Sequence, residues 1–203
     1  RPAVVGKPLP LSEQGAAVKA VILNALIFQL GWFCCVLAGA NLTPWLGTLA
    51  AMLIVAWHLT NATRPASESL LILVVGMLGG LWDSLLVYTG LLQYPSGTLI
   101  AGTAPHWIVA MWLLFATTLN VSLRWLKRRL VLAALIGALA GPVAYFAGSK
   151  LGGVQIRDLP LALTALALGW SFLMPLLMTL SNRLDGFASS AGSSTLVRQV
   201  NHA

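Results

Sequence analysis

Long apolar runs alternate with short polar breaks along this chain, six times over. The runs occupy residues 19–39, 43–61, 70–92, 105–126, 130–151 and 158–181. Each is close to the roughly 20 residues that a helix rising 1.5 Å per residue needs to cross a ~30 Å hydrocarbon core. The breaks carry helix-ending chemistry, as in Asn41-Leu-Thr-Pro44, Arg64-Pro65, Tyr94-Pro-Ser-Gly97 and Gly152-Gly153. Thr43 and Ser67 are placed to cap helices, and Pro44 and Pro105 suit a first turn. The pattern predicts an all-α polytopic membrane protein, a bundle of six transmembrane helices. Residues 19–182 form that domain, with flexible cytoplasmic segments at 1–18 and 183–203.

Composition agrees with the pattern. The chain is 58% hydrophobic and 8% charged, against roughly 25% charged in soluble domains. The formal net charge of +7 points to membrane topology and anionic lipid heads, not to nucleic acid, because the basic residues sit between apolar runs. Arg1, Lys7, Lys19, Arg64, Arg124, Lys127, Arg128, Arg129, Arg183 and Arg198 fall on one side of the six-span arrangement, and Lys150 and Arg157 on the other. The positive-inside rule then places both termini in the cytoplasm. Cys34 and Cys35 are adjacent inside an apolar run and read as small buried side chains.

One charge interrupts the third run. Between Leu70 and Leu92 the one charged residue is Asp83, and a carboxylate in a membrane helix costs several kcal/mol unless neutralised, paired or hydrated. Gly76, Gly79, Gly80 and Gly90 share its helix face by their spacing. Small residues mark close helix approach in membranes, so Asp83 is expected to face protein or a wet cavity, with Lys150, Arg157 and His106 as outer partners. Gly137, Gly141, Ala144 and Gly148 form a second such stripe, so helices three and five are expected to be central. Pro175 is expected to bend helix six near Ser171.

Depth sorts the remaining polar and aromatic positions. Gln29, Asp83 and Trp170 fall near the expected midplane, with Trp32, Trp82 and Trp112 close to it. Asn24, His58 and Asn120 form a second polar layer nearer the cytoplasm, and Thr117, Asn120 and Arg124 share one helix face that can hold an anionic head group. Three scattered histidines without H-x-x-x-H or H-E-x-x-H spacing do not make a metal site. Nothing matches a nucleophile elbow, a P-loop or a dinucleotide fingerprint, and no cofactor is indicated.

Several stretches resemble a bacterial inner-membrane family of unknown function. They are Asn24-Ala-Leu-Ile-Phe-Gln29 with Trp32, Gly80-Leu-Trp-Asp83, Pro105-His-Trp-Ile-Val-Ala-Met-Trp112 with Phe115-Ala-Thr-Thr-Leu-Asn120, and Gly141-Pro-Val-Ala-Tyr145 with Gly148 and Leu151-Gly152. The resemblance implies a small multi-span protein of the bacterial inner membrane and brings no established activity.

Taken together, these positions predict an intramembrane pocket for a lipid, quinone, isoprenoid or other hydrophobic small molecule. Asp83 is its central polar group, with Gln29, Asn24, His58, Asn120 and Arg124 as polar lining and Trp32, Trp82, Trp112 and Trp170 as walls. If the protein is an enzyme, Asp83 and His58 are its acid–base pair. A proton-coupled transporter and a ligand-free scaffold for a membrane-protein partner are the competing readings.

Overall fold

Proline sets the start of three helices. A computed structural model describes residues 11–187, so 1–10 and 188–203, with most of the two expected flexible segments, lie outside the described residues. Pro44 opens α2 (Pro44–Thr60), Pro65 opens α3 (Pro65–Tyr88), and Pro160 lies in the first turn of α6 (Leu159–Arg183). Its fixed φ suits a first turn, where no backbone N–H partner is needed. The others are α1 (Leu11–Ala40), α4 (His106–Leu119) and α5 (Leu130–Lys150). Asp158 caps α6, its carboxylate accepting from Leu161 N at 3.0 Å.

Among the described residues the fold is all-α with six α-helices. Four of them, counted from Val18 in α1 together with α3, α5 and α6, are apolar and long enough to cross a membrane, whereas α2 and α4 are shorter. The protein is thus a multi-pass membrane protein.

Several boundaries differ from the pattern. Helix α3 was expected at 70–92 with Ser67 as cap, but it begins at Pro65 because the Pro ring is already helical there. It closes at Gly90, whose φ of 75° lets Gly90 N reach Val87 O and Leu91 N reach Leu86 O, a left-handed cap that favours glycine. Gly152, with φ 83°, closes α5 the same way. Helix α4 ends at Leu119, and a short 3-10 turn, Arg124–Leu126, leads to α5. Helices α5 and α6 continue through Pro142 and Pro175.

The centre is built by α3 and α4, not by α3 and α5. Nine residues of α4 are buried, against four of α5. The glycine stripe of α3 receives side chains of α4: a Cβ at Gly76 would meet Leu113, at Gly79 the Trp112 ring and at Gly80 Val109. The α5 stripe receives α6 instead, with Trp170 over Gly141 and Met174 against Gly137. At one end, β1 (Leu92–Gln93) pairs antiparallel with β2 (Gln155–Ile156), and Arg157 Nη2 donates to Gln93 Oε1 at 2.8 Å. This ribbon ties the α3–α4 loop to the α5–α6 loop.

At the opposite end, residues just past α6 fold back across the α2–α3 turn. Arg64 N and the Thr63 hydroxyl both donate to Gly186 O, at 2.9 and 2.8 Å. Residues 184–187, expected as the start of a loose tail, are therefore held by specific bonds. Cys35 is buried and Cys34 exposed, both as free thiols.

Gly79→Ala should be a sensitive probe of this packing. The added methyl overlaps the Trp112 ring, so the indole must move, and overpacking of this kind costs about 1–3 kcal/mol. Gly80→Ala, whose Cβ meets only Val109 Cγ2 at 3.3 Å, should cost less. Thermal unfolding of the two variants in one detergent gives the comparison.

Candidate functional site

Asp83 is fully buried and faces protein, as its glycine neighbours imply. Three side chains from three other segments converge on its carboxylate. Trp112 Nε1 of α4 donates to Oδ2 at 2.6 Å, the Tyr94 hydroxyl donates to Oδ1 at 2.8 Å, and the Tyr145 hydroxyl of α5 lies 2.7 Å from Oδ1 and 2.8 Å from Oδ2. None of the outer partners expected for Asp83 reaches it. Arg157 goes to Gln93, Lys150 lies over the Phe146 ring, and His106 shares a 2.7 Å hydrogen bond with Thr48 and stacks on Trp45.

Nor does Asp83 sit at mid-helix. With α3 ending at Tyr88, it lies roughly 10 Å beyond the helix midpoint by helical rise. This displacement lets Tyr94, just past the end of α3, fold back onto it. The Tyr94 phenol keeps its proton to well above its ordinary pKa, first because it is buried and then because Asp83 opposes a second negative charge beside it.

A second buried acid occupies the other end of the same helix. Glu68 is fully buried in the first turn of α3. Its Oε1 accepts from His58 Nε2 at 2.8 Å, and its Oε2 accepts from Asn120 Nδ2 at 2.6 Å and Gly186 N at 3.1 Å. The helix N-terminus adds favourable partial charge. His58 is thus engaged by Glu68 and is roughly 22 Å from Asp83 by helical rise along α3. The expected Asp83–His58 acid–base pair is not assembled.

The expected polar layer divides in two. His58 and Asn120 meet through Glu68, while Asn24 forms a separate link, donating to Thr117 O at 3.2 Å and accepting from Ser122 N at 3.3 Å. Arg124 donates to Asn120 O at 3.0 Å and pairs with Asp185, which also accepts from Lys127 Nζ at 2.9 Å. Burial lowers the Lys127 pKa, and Asp185 partly offsets that. Arg124 is therefore committed to a protein carboxylate instead of an open head-group site.

Next to the Asp83 cluster lies a cleft of about 620 Å³ between α1 and α5, floored by α4 and α6. It reaches from Val21 to Val36 along α1 and from Ile136 to Gly148 along α5, or roughly 18–22 Å by helical rise. Trp32, Trp112 and Trp170 line it, whereas Trp82 packs against Gly169 away from it. Trp112 and Trp170 stack at 4.8 Å. Asp83 does not touch the cleft; its three donors Tyr94, Trp112 and Tyr145 do. Gln29 also lines it, exposed and without a hydrogen-bond partner among the described residues. Trp170 Nε1 is buried and likewise unpartnered there.

A family model described as "Protein of unknown function (DUF2878)" matches residues 21–176. The chain belongs to this family. No curated protein and no solved structure matches it. The matched span holds the whole Asp83 cluster and the cleft, together with Glu68, His58 and Asn120; Asp185 and Gly186 fall beyond it.

The two tyrosines were the missing members of the site. Only three tyrosines occur in the chain, and two of them bind one carboxylate. Tyr145 was within reach of sequence reasoning, because it stands four residues after Gly141 and three before Gly148, on the same helical stripe. Tyr94 offered no such signal, since its position depends on where α3 ends.

Proposed function

We propose that this is a bacterial inner-membrane protein whose six helices all lie in the bilayer, with both termini cytoplasmic, and that it binds, or helps to modify, a lipid or other hydrophobic small molecule in the cleft between α1 and α5. The cleft itself carries this reading. Its length exceeds the ~15 Å of one leaflet's hydrocarbon, so it accommodates a long chain. Its walls are largely apolar and aromatic, with a few polar groups set into them, which is the usual make-up of a small-molecule site. Gln29 supports it further, because an amide without a partner in an apolar setting is costly unless a ligand or water supplies one.

Orientation rests on the ends of the helices. Arg64, Arg124, Lys127, Arg128, Arg129 and Arg183 gather where α2, α4 and α6 end and α3 and α5 begin, while Lys150 and Arg157 lie at the ribbon end. A cytoplasmic location for the first group follows the positive-inside rule. In this reading Asp83 positions the cleft wall and does not contact the ligand directly, and Glu68 with His58 and Asn120 secures the cytoplasmic end.

Ala140 lines the cleft and is exposed within it, so Ala140→Phe fills the space without displacing a buried neighbour. Organic extracts of the purified parent, analysed by mass spectrometry, should contain a co-purifying apolar species that is depleted several-fold in the Ala140→Phe extract. Identical extracts from a folded variant would remove the binding reading and leave a scaffold.

A further inference from the structure

The polar end of the cleft has a hydrogen-bonding polarity of its own. Three donors converge on the two Asp83 oxygens. An ionised carboxylate, which only accepts, matches that arrangement. Each phenol then spends its single proton on Asp83. What Tyr94 and Tyr145 retain is lone pairs on oxygen, so toward any further group they are acceptors only.

A donor lies close by. Trp170 Nε1 is buried without a partner among the described residues, and Trp170 lines the same cleft. Its pyrrole edge rests over Gly141, about one helical turn from Tyr145. An indole N–H can only donate, and leaving it buried and unpaired is costly. The wall thus offers the spent Tyr145 oxygen and an unused N–H within one stretch of α5 and α6, and the spent Tyr94 oxygen shares Asp83 with Tyr145.

We infer that the cleft takes a long-chain neutral alcohol, whose hydroxyl donates to a phenol oxygen of Tyr94 or Tyr145 and accepts from Trp170. This rests on the cleft being the ligand site and adds which head group it selects. A hydroxyl is the smallest group that meets both demands at once. A ketone or quinone accepts but has nothing to give the phenol oxygens. An ammonium donates but cannot accept from the indole. A phosphate brings negative charge toward Asp83, and the two cations of that end are turned elsewhere, Lys150 over the Phe146 ring and Arg157 to Gln93.

The test uses the purified full chain in nanodiscs and a reporter with a brominated alkyl chain, which quenches Trp112 and Trp170 when it enters the cleft. Four competitors of one chain length are compared: the primary alcohol, the methyl ketone, the primary amine and the alkyl phosphate. The alcohol should displace the reporter about tenfold better than each of the others, the difference that one added hydrogen bond supplies. Tyr145→Phe should erode its advantage over the ketone and leave the ketone's own affinity unchanged. If all four compete equally, the cleft binds chains but does not read the head group, and the alcohol assignment fails. A ketone, amine or phosphate that matches or exceeds the alcohol also overturns it. If the reporter does not quench and nothing competes, the cleft itself is not a ligand site.

Discussion

Asp83→Asn should destabilise the folded protein by about 3 kcal/mol, through donors left buried without an acceptor. The carboxylate serves Trp112, Tyr94 and Tyr145 together. An amide supplies one acceptor oxygen and turns an NH₂ toward groups that themselves donate. The variant should therefore unfold at a clearly lower temperature in detergent and show altered tryptophan emission as Trp112 loses its anchor. Adding Tyr145→Phe removes one of the stranded donors, so the double variant should lose less than the sum of the two single changes. An Asp83→Asn protein as stable as the parent would mean that the three-donor cluster contributes little to the fold.

Glu68→Ala should be at least as severe, costing about 3–5 kcal/mol, the range for removing one member of a buried charged network. Three separate segments depend on this carboxylate: His58 from α2, Asn120 at the end of α4, and Gly186 beyond α6. Its loss should also free residues 184–187, which proteolysis near Gly186 would detect as faster cleavage. Glu68→Gln should be milder. The amide keeps one acceptor, and the His58 ring can present its unprotonated nitrogen to the new NH₂. Equal stability and equal protease resistance of parent and Glu68→Ala would show that the fold-back is held by other contacts.

The two acids differ in how far the sequence revealed them. That Asp83 turns inward followed from spacing alone, because Gly76, Gly79 and Gly80 fix which face of α3 meets another helix. The burial of Glu68 was hidden by a boundary. Ala66, Ser67, Glu68 and Ser69 read as a polar approach to a helix beginning at Leu70, whereas Pro65 starts it one turn earlier and carries Glu68 into the interior. The same shift moved Asp83 away from mid-helix and separated it from His58.

Periodicity also misjudged which helix is central. The small residues of α5 resemble those of α3, but a stripe does not say what fills it. On α3 it is filled by α4; on α5 part of it is filled by α6 and the rest borders the cleft. Four long spans were evident from apolar length; α2 differs from its expected run by one residue at each end, while α4 was overestimated because Val121, Leu123, Trp125 and Leu126 continue the apolar run past its end. The three cleft tryptophans were identified by depth, and Trp82 was not separable from them because its contact, Gly169, lies on a different helix.

The way α6 is fastened has a consequence for traffic. The ribbon restrains the α5–α6 unit at one end, and the bonds of Gly186 restrain it at the other. Between these tethers α5 looks across a gap toward α1, and Ile22, Leu26 and Ala140 at the rim are uncovered. Under the proposed function, a molecule already dissolved among acyl chains would slip in sideways, by two-dimensional diffusion, without its head ever crossing an aqueous boundary.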